Sequence, residues 1–161
     1  TVGGNTYEVR DWWGQRDHSW GIRDHQRCPM WQWLAIQLPD GMLGIWNWEY
    51  PNGQRGYMDG YWAPADMSEP IQVVDYRYDL HWGEVAGLEG VIVARLEDGR
   101  AFEVRGEGRW HTRYGQLGGG QVHMHLRTAD GRAGTAAYEI TGSHHHHFFP
   151  VARASNLPPG N

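Results

Sequence analysis

The residues best suited to chemistry lie in a motif that occurs twice near the start of the chain. Gly-x-Arg-Asp-His runs from Gly14 to His18 and again from Gly21 to His25. A carboxylic acid beside an imidazole suits general acid–base catalysis, and an acid kept protonated in an apolar pocket can protonate a substrate. The alternative is a structural corner in which Arg16 or Arg23 neutralises Asp17. The sequence leaves both interpretations open.

The spacing of the two copies indicates which one is the candidate site. The copies are seven residues apart, which would place them on one face of a helix but on opposite faces of a strand. The glycines and tryptophans argue against a helix, and Gly21 is typical of a bend or bulge. Strand alternation then places Arg16, His18 and Trp20 on one face. Because the second copy leads into a predicted loop, we predict Asp17 and His18 as catalytic residues and Trp20 as part of a ligand site.

Two further groups of histidines are candidate metal ligands. His123 and His125 alternate along a predicted strand, so their side chains share a face, as in metal-binding His-x-His pairs. A cupin-type site would add a Glu shortly afterwards, but that position holds Ala129 and Asp130. We therefore predict no metal, and expect His123 and His125 in the polar wall of a ligand pocket or on an exposed face. The run from His144 to His147 would bind metal only adventitiously.

Composition excludes several classes of partner. The formal net charge is -5, and all 14 basic residues are Arg, which argues against a nucleic-acid or anionic-membrane partner. A single Cys28 excludes internal disulfides and cysteine-based zinc sites. No apolar run is long enough for a membrane span, and no signal peptide is recognisable, which favours a cytoplasmic location. The start at Thr1 suggests a processed product or part of something larger.

Turn residues and alternating segments predict an all-β fold. Asp-Gly, which supplies the positive φ of tight turns, stands at the tips of three predicted hairpins. The predicted strands are Met30–Leu38, Met42–Tyr50, Arg55–Trp62, Ile71–Trp82, Leu88–Leu96, Arg100–Gly108, Gln121–Thr128 and Arg132–Ile140. About eight or nine strands in sequence predict an antiparallel meander that closes into a barrel. We expect one barrel-like domain over residues 1–143 and an ordered tail over residues 144–161 packed on it.

Aromatic residues are unusually frequent, with 10 Trp and 8 Tyr. Alternation places the aromatic side chains of each of three strands on a single face. We expect that face to line the barrel interior, either as a packed core or as a ligand cavity. The ligand-binding candidates are Trp20, Trp33, Trp46, Trp48, Tyr76, Tyr78, His123 and His125.

One segment resembles a known family. "RDHSWG" from Arg16 to Gly21, followed by "WQWLAIQLPDG" from Trp31 to Gly41, resembles the Asp-His-x-Trp-Gly segment and Trp-rich strand of the AttH and carotenoid 1,2-hydratase (CrtC) group. The matching positions are Asp17, His18, Trp20, Gly21, Trp31, Trp33, Leu38, Asp40 and Gly41. Arg16 replaces the aromatic residue often found before the Asp. The resemblance covers about the first third of the chain, and the matching segment opens the second half of those proteins.

The resemblance implies a lipocalin-like, calycin-type barrel that acts on or binds hydrophobic, often polyunsaturated molecules. The implied chemistry is acid-assisted hydration, cyclisation or isomerisation, with Asp17 or His18 delivering the proton and aromatic faces stabilising a cation. Two alternatives remain: a non-catalytic carrier, and a structural half-domain without a complete site. No cofactor is implied. The expected partners are a hydrophobic small molecule and either a preceding barrel half or a second copy of the chain.

Overall fold

A computed structural model describes residues 1–10, 14, 16–18, 20–21, 30–50, 52–83, 87–113, 119–141 and 153–155. Within these ranges the secondary structure is all β. The strands are β1 (Met30–Leu38), β2 (Gly41–Glu49), β3 (Arg55–Pro64), β4 (Ile71–Gly83), β5 (Gly87–Leu96), β6 (Ala101–Arg113), β7 (Gly119–Thr128), β8 (Ala133–Thr141) and β9 (Arg153–Ser155). The described part of the chain contains no helix long and apolar enough to cross a bilayer. The predicted all-β class is confirmed.

The first eight strands form a closed antiparallel meander, the lipocalin-like barrel expected from the sequence. Each strand pairs with the next, and β1 pairs with β8 to complete the circuit. The junction between β3 and β4 is short, with Tyr61 opposite Gln72 and Trp62 opposite Ile71. Closure removes the sheet edges on which strands of other chains would pair. β9 pairs with β4 at residues 79–81, and the neighbouring residues of the tail lie outside the described part.

The turns follow the predicted chemistry. Gly99 and Gly131 adopt φ of 89° and 90° in the β5–β6 and β7–β8 turns, and Gly53 adopts 82° between β2 and β3. These left-handed conformations are unfavourable for residues that carry a side chain, whereas glycine adopts them readily. Gly21, at φ 133°, forms the predicted bend.

The barrel interior is filled mainly by aliphatic and tyrosine side chains, together with Trp62 and Phe102, whose ring centroids are 4.7 Å apart. On β1 the inward residues include Leu34 and Ile36, and on β2 they include Leu43 and Ile45. Burying a side chain of this size contributes roughly 1.5–3 kcal/mol. A β-bulge between Val73 and Asp75 interrupts the alternation of β4. Because of this bulge Val73 points inward while Val74 is 45% exposed, so Val74 does not share the inward face of the β4 tyrosines.

Arg132 joins two turns at one end of the barrel. Its Nη1 donates to both oxygens of Asp40, at 2.9 and 2.7 Å, and its Nε donates to Asp130 Oδ1 at 3.0 Å. The guanidinium lies 5.4 Å from the ring centroid of Phe102. Hydrogen bonds from Arg132 and then from Thr128 lower the pKa of Asp130 to about 2.

We expect Arg132→Gln to raise the pKa of Asp130 towards its ordinary value of about 3.9. The folded-state pKa is below the unfolded value, so this contribution to stability is present above about pH 4 and is lost as the pH falls to about 2. Carboxyl carbon chemical shifts, followed against pH, measure the change. Arg100→Gln is the matched control, because Arg100 pairs with Asp98 in the neighbouring turn. An unchanged Asp130 titration in Arg132→Gln would contradict the assignment.

Candidate functional site

The predicted ligand-binding residues divide between the two sides of the barrel wall. Tyr76 and Tyr78 point inward and are buried. Trp33, Trp46 and Trp48 lie on the outer side, because the alternating aliphatic residues of β1 and β2 occupy the interior. The expectation that the tryptophan face lines the barrel interior is therefore wrong. His123 and His125 are also exposed on the outer side, on β7.

A row of small residues crosses the outer side of three adjacent strands. Ala35 on β1 pairs with Gly44 on β2 and with Ala137 on β8. Tyr61 on β3 stands opposite Gly44, and His123 on β7 stands opposite Ala137. Small side chains beside large ones create a depression, which we name the outer trough: its floor is Gly44, Ala35 and Ala137, and its ends are Tyr61 and His123. Four interstrand spacings of about 4.8 Å give the trough a length of about 19 Å.

The β3 half of the outer trough is aromatic. A groove of about 420 Å³ lies over it, and its lining includes Trp33, Met42, Trp46, Trp48, Tyr57 and Tyr61. The ring centroids of Trp46 and Trp48 are 6.5 Å apart, and those of Trp48 and Tyr57 are 5.5 Å apart. A Cβ on Gly44 would lie 3.1 Å from the ring of Tyr61, so the glycine is what lets that ring approach the floor.

Two polar features mark this aromatic half. The indole Nε1 of Trp46 is buried and has no hydrogen-bond partner. The Tyr57 hydroxyl donates to Asp59 Oδ2 at 3.1 Å. Partial burial, and then Asp59, raise the pKa of Tyr57, so the phenol stays neutral. An apolar molecule in this groove would meet an unused N–H donor.

The β7 half of the outer trough is more polar. A second groove of about 410 Å³ shares Ala35 with the first, and its lining includes Gly14, Gln37, His123, His125 and Thr135. Gln37 Nε2 donates to the carbonyl oxygen of Gly14 at 2.8 Å. This hydrogen bond attaches the start of the repeated motif to the outer side of β1.

The first copy of the motif is exposed and is not part of a strand. Arg16 Nη2 lies 2.7 Å from His18 Nδ1, and the rings of His18 and Trp20 meet edge-on with centroids 5.4 Å apart. These contacts bring Arg16, His18 and Trp20 together, but the segment is not the strand from which their shared face was predicted. Because Arg donates only, His18 Nδ1 accepts and the proton of a neutral ring is on Nε2. Asp17 is exposed, and the second copy beyond Gly21 lies outside the described residues, as does the run from His144 to His147.

The described part of the structure contains no candidate metal site. Among the residues in the described ranges, no group of three or more His, Cys, Asp or Glu side chains is placed to hold a metal ion. His123 and His125 do share the outer side of β7, as their spacing predicts.

The barrel interior contains a polar cluster that sequence reasoning missed. It consists of Gln32, Asn47, Glu49, Tyr76 and Tyr78, all nearly or fully buried. The Tyr78 hydroxyl donates to Glu49 Oε1 at 2.5 Å, and Asn47 Nδ2 donates to the same oxygen at 3.0 Å. The Tyr76 hydroxyl donates to Gln32 Oε1 at 3.1 Å. The signal was the presence of Gln and Asn on the otherwise aliphatic faces of two predicted strands.

Both phenols of this cluster are neutral hydrogen-bond donors. Burial raises the pKa of Tyr76 well above its usual value, and neighbouring Tyr138, Tyr78 and Glu49 act in the same direction. Burial and then the Glu49 carboxyl raise the pKa of Tyr78. Arg55, which donates to the carbonyl oxygen of Tyr76, opposes both shifts with its positive charge. Glu49 is thus held in place by donors that keep their protons.

Comparison with known protein families identifies the family of this chain. The model of a domain of unknown function, DUF7064, matches residues 1–143. The chain belongs to the DUF7064 family. Neither the search of curated proteins nor that of solved structures gives a match. The family match covers the N-terminal motif, the whole barrel and both halves of the outer trough.

Proposed function

We propose that this DUF7064 protein binds an elongated, largely apolar small molecule in the outer trough and acts as a carrier for it. The observation that supports this most strongly is the pair of adjoining grooves that share Ala35, one lined mainly by aromatic residues and the other more polar. Aromatic side chains offer large contact areas at low entropic cost to flat, conjugated molecules. A terpenoid or polyene about as long as the trough fits this surface.

The unpartnered indole of Trp46 narrows the ligand class. A buried N–H without an acceptor costs roughly 1–3 kcal/mol. A carbonyl, ether or hydroxyl oxygen on the ligand would remove this cost, whereas a hydrocarbon would not. We propose a ligand that carries at least one oxygen acceptor near the Trp33–Trp46 pair. The resemblance of Arg16–Gly21 and Trp31–Gly41 to the AttH and CrtC group supports the same class of hydrophobic, polyunsaturated molecule.

Binding of a conjugated terpenoid ketone to the outer trough tests the proposal. β-Ionone, a conjugated terpenoid ketone, is titrated into the protein while quenching of tryptophan fluorescence is followed. We expect saturable binding that Ala35→Trp abolishes, because Ala35 lines both grooves and the new indole would occupy the floor between them. Val74→Trp adds the same side chain on the outer side of β4, away from the trough, and should leave the Kd within about twofold. Absence of saturable binding in the wild type would contradict the carrier function and favour a structural half-domain.

A second candidate function is acid-assisted catalysis on the bound molecule. The hydrogen bond between Gln37 and Gly14 favours it, because Asp17 follows three residues later and lies within about 10 Å of Gly14. The Asp17 carboxylic acid would give its proton to an alkene carbon, water would add to the resulting cation, and the water's proton would return to the carboxylate. The net change is addition of one water across the double bond.

We expect Asp17→Asn to separate catalysis from binding. The amide cannot supply the proton, so addition of D₂O to farnesene, measured by mass spectrometry, should fall to the uncatalysed rate while the Kd for β-ionone stays within about twofold. Asp66→Asn, in the exposed β3–β4 loop, is the matched control. Wild-type turnover in Asp17→Asn, or no turnover in the wild type, would contradict the catalytic candidate and leave the carrier function in place.

A further inference from the structure

The polar cluster inside the barrel is separated from the outer trough by the sheet and takes no part in the proposed function. Gln32 on β1 and Asn47 on β2 are direct cross-strand neighbours, and both are 0% exposed. Aliphatic residues occupy the inward positions next to them, Leu34 and Ile45. Two primary amides fully enclosed in this way must satisfy their hydrogen bonds inside the barrel.

The hydrogen bonds of the cluster fix the orientation of both amides. Asn47 Nδ2 donates to Glu49 Oε1 at 3.0 Å and to Gln32 Oε1 at 3.2 Å. Turning the Asn47 amide over would set its oxygen against the Glu49 oxygen that also accepts from Tyr78. Turning the Gln32 amide over would set its NH₂ group against Asn47 Nδ2, so that two donors would face each other. Each amide has therefore one acceptable orientation.

In this orientation one donor and one acceptor remain unused. Gln32 Nε2 and Asn47 Oδ1 are buried and have no hydrogen-bond partner. A hydroxyl group complements this pair, because its oxygen accepts from Gln32 while its O–H donates to Asn47. An ether oxygen could satisfy only Gln32, and an alkyl group could satisfy neither.

We infer that Gln32 and Asn47 form a binding site for a single hydroxyl group inside the barrel, next to Glu49. The hydroxyl belongs either to a water molecule or to the terminal alcohol of a small ligand. Buried waters in proteins typically make about three hydrogen bonds to otherwise unsatisfied groups, and this site supplies two of them from the amides. The inference depends on the inner face alone, so failure of the outer trough to bind a ligand would leave it unaffected.

Nuclear magnetic resonance of the full chain, labelled with ¹⁵N and ¹³C, tests the site directly. We expect a nuclear Overhauser effect between the Gln32 side-chain NH₂ and a long-lived water. The same NH₂ signals are then followed during titration with butan-1-ol and with its isomer diethyl ether, which has no O–H. A saturable shift with butan-1-ol alone identifies a ligand alcohol as an occupant. A water signal without any alcohol shift identifies water as the occupant.

Two results would overturn the inference. One is the absence of both the water signal and a saturable alcohol shift; the other is an equal response to the two isomers, which would show that the O–H plays no part. Asn47→Leu removes the acceptor and should abolish either signal. Leu34→Met is the matched control on the same inner face of β1, and it should retain the signal. The dispersed amide spectrum of each variant reports whether the barrel has folded, and Asn47→Val, which also removes the acceptor but keeps the Gln32 NH₂ probe, provides a second variant if Asn47→Leu does not fold.

Discussion

Trp46→Ala should weaken the binding of β-ionone about tenfold to a hundredfold. Loss of an aromatic contact of this size corresponds to about 1.5–3 kcal/mol of apolar burial, and each 1.4 kcal/mol is a factor of ten in Kd. Trp46 lines the aromatic half of the outer trough, and its side chain lies outside the packed interior, so the barrel should remain folded. Fluorescence titration gives the Kd, and circular dichroism checks the fold.

Trp46→Phe separates the N–H group from the aromatic surface. Phenylalanine keeps an apolar ring but removes the unpartnered indole donor. We expect β-ionone, which has a carbonyl acceptor, to bind about three- to tenfold more weakly, in line with a net hydrogen bond of about 0.5–1.5 kcal/mol. Binding of farnesene, which has no acceptor, should change little.

Trp20→Ala is the matched tryptophan control for these variants. Trp20 is 86% exposed and contacts His18 rather than the trough lining. An unchanged Kd in this variant would assign the binding to the outer trough. Equal weakening by Trp20→Ala and Trp46→Ala would contradict a site confined to the trough.

Glu49→Leu should lower the free energy of unfolding by about 2–4 kcal/mol. The substitution removes the Glu49 oxygen that the Tyr78 hydroxyl contacts at 2.5 Å, in the buried interior of the barrel. A buried donor that loses its partner costs about 1–3 kcal/mol, and more when the lost partner is charged. Urea denaturation at neutral pH measures the difference. Glu103→Leu is the control, because its ion pair with Arg105 is largely exposed, and such pairs contribute about 0–1 kcal/mol.

A second substitution distinguishes loss of the hydrogen bond from loss of packing. Tyr78→Phe removes the hydroxyl, so in Glu49→Leu combined with Tyr78→Phe only the Asn47 amide has lost its Glu49 acceptor. We expect the double variant to be more stable than Glu49→Leu alone, which would give a coupling energy in a double-mutant cycle. Strict additivity of the two substitutions would contradict the proposed network.

The strands and turns of this barrel could be predicted well from the sequence. The first predicted strand, Met30–Leu38, matches β1 residue for residue, because alternating apolar residues and a Pro-Asp-Gly turn fix both of its ends. The other predicted strands differ from the observed ones mainly at their ends, where pairing extends a strand beyond the alternating segment. β6, for example, continues to Arg113 with a register shift between Trp110 and Thr112.

The side of the sheet that faces the barrel axis could not be predicted. Alternation separates Trp33 from Leu34 and Trp46 from Ile45, but it does not say which set points inward. An eight-stranded barrel has an interior just large enough for side chains to fill, and here aliphatic residues, tyrosines, Trp62 and Phe102 fill it. Trp33, Trp46 and Trp48 are consequently left on the outside. The outer trough itself depends on Gly44, Ala35 and Ala137 being aligned across three strands, which only the register reveals.

Photoaffinity labelling tests the central claim, binding in the outer trough, most directly. A farnesyl ketone bearing a diazirine is irradiated with the protein, and the labelled residues are located by peptide mass spectrometry with and without excess β-ionone. The account predicts labels on Trp33, Met42 or Trp46 that β-ionone suppresses. Labels on the inward-facing Ile36 and Leu43, which do not line the groove, or labels that β-ionone does not suppress, would contradict it.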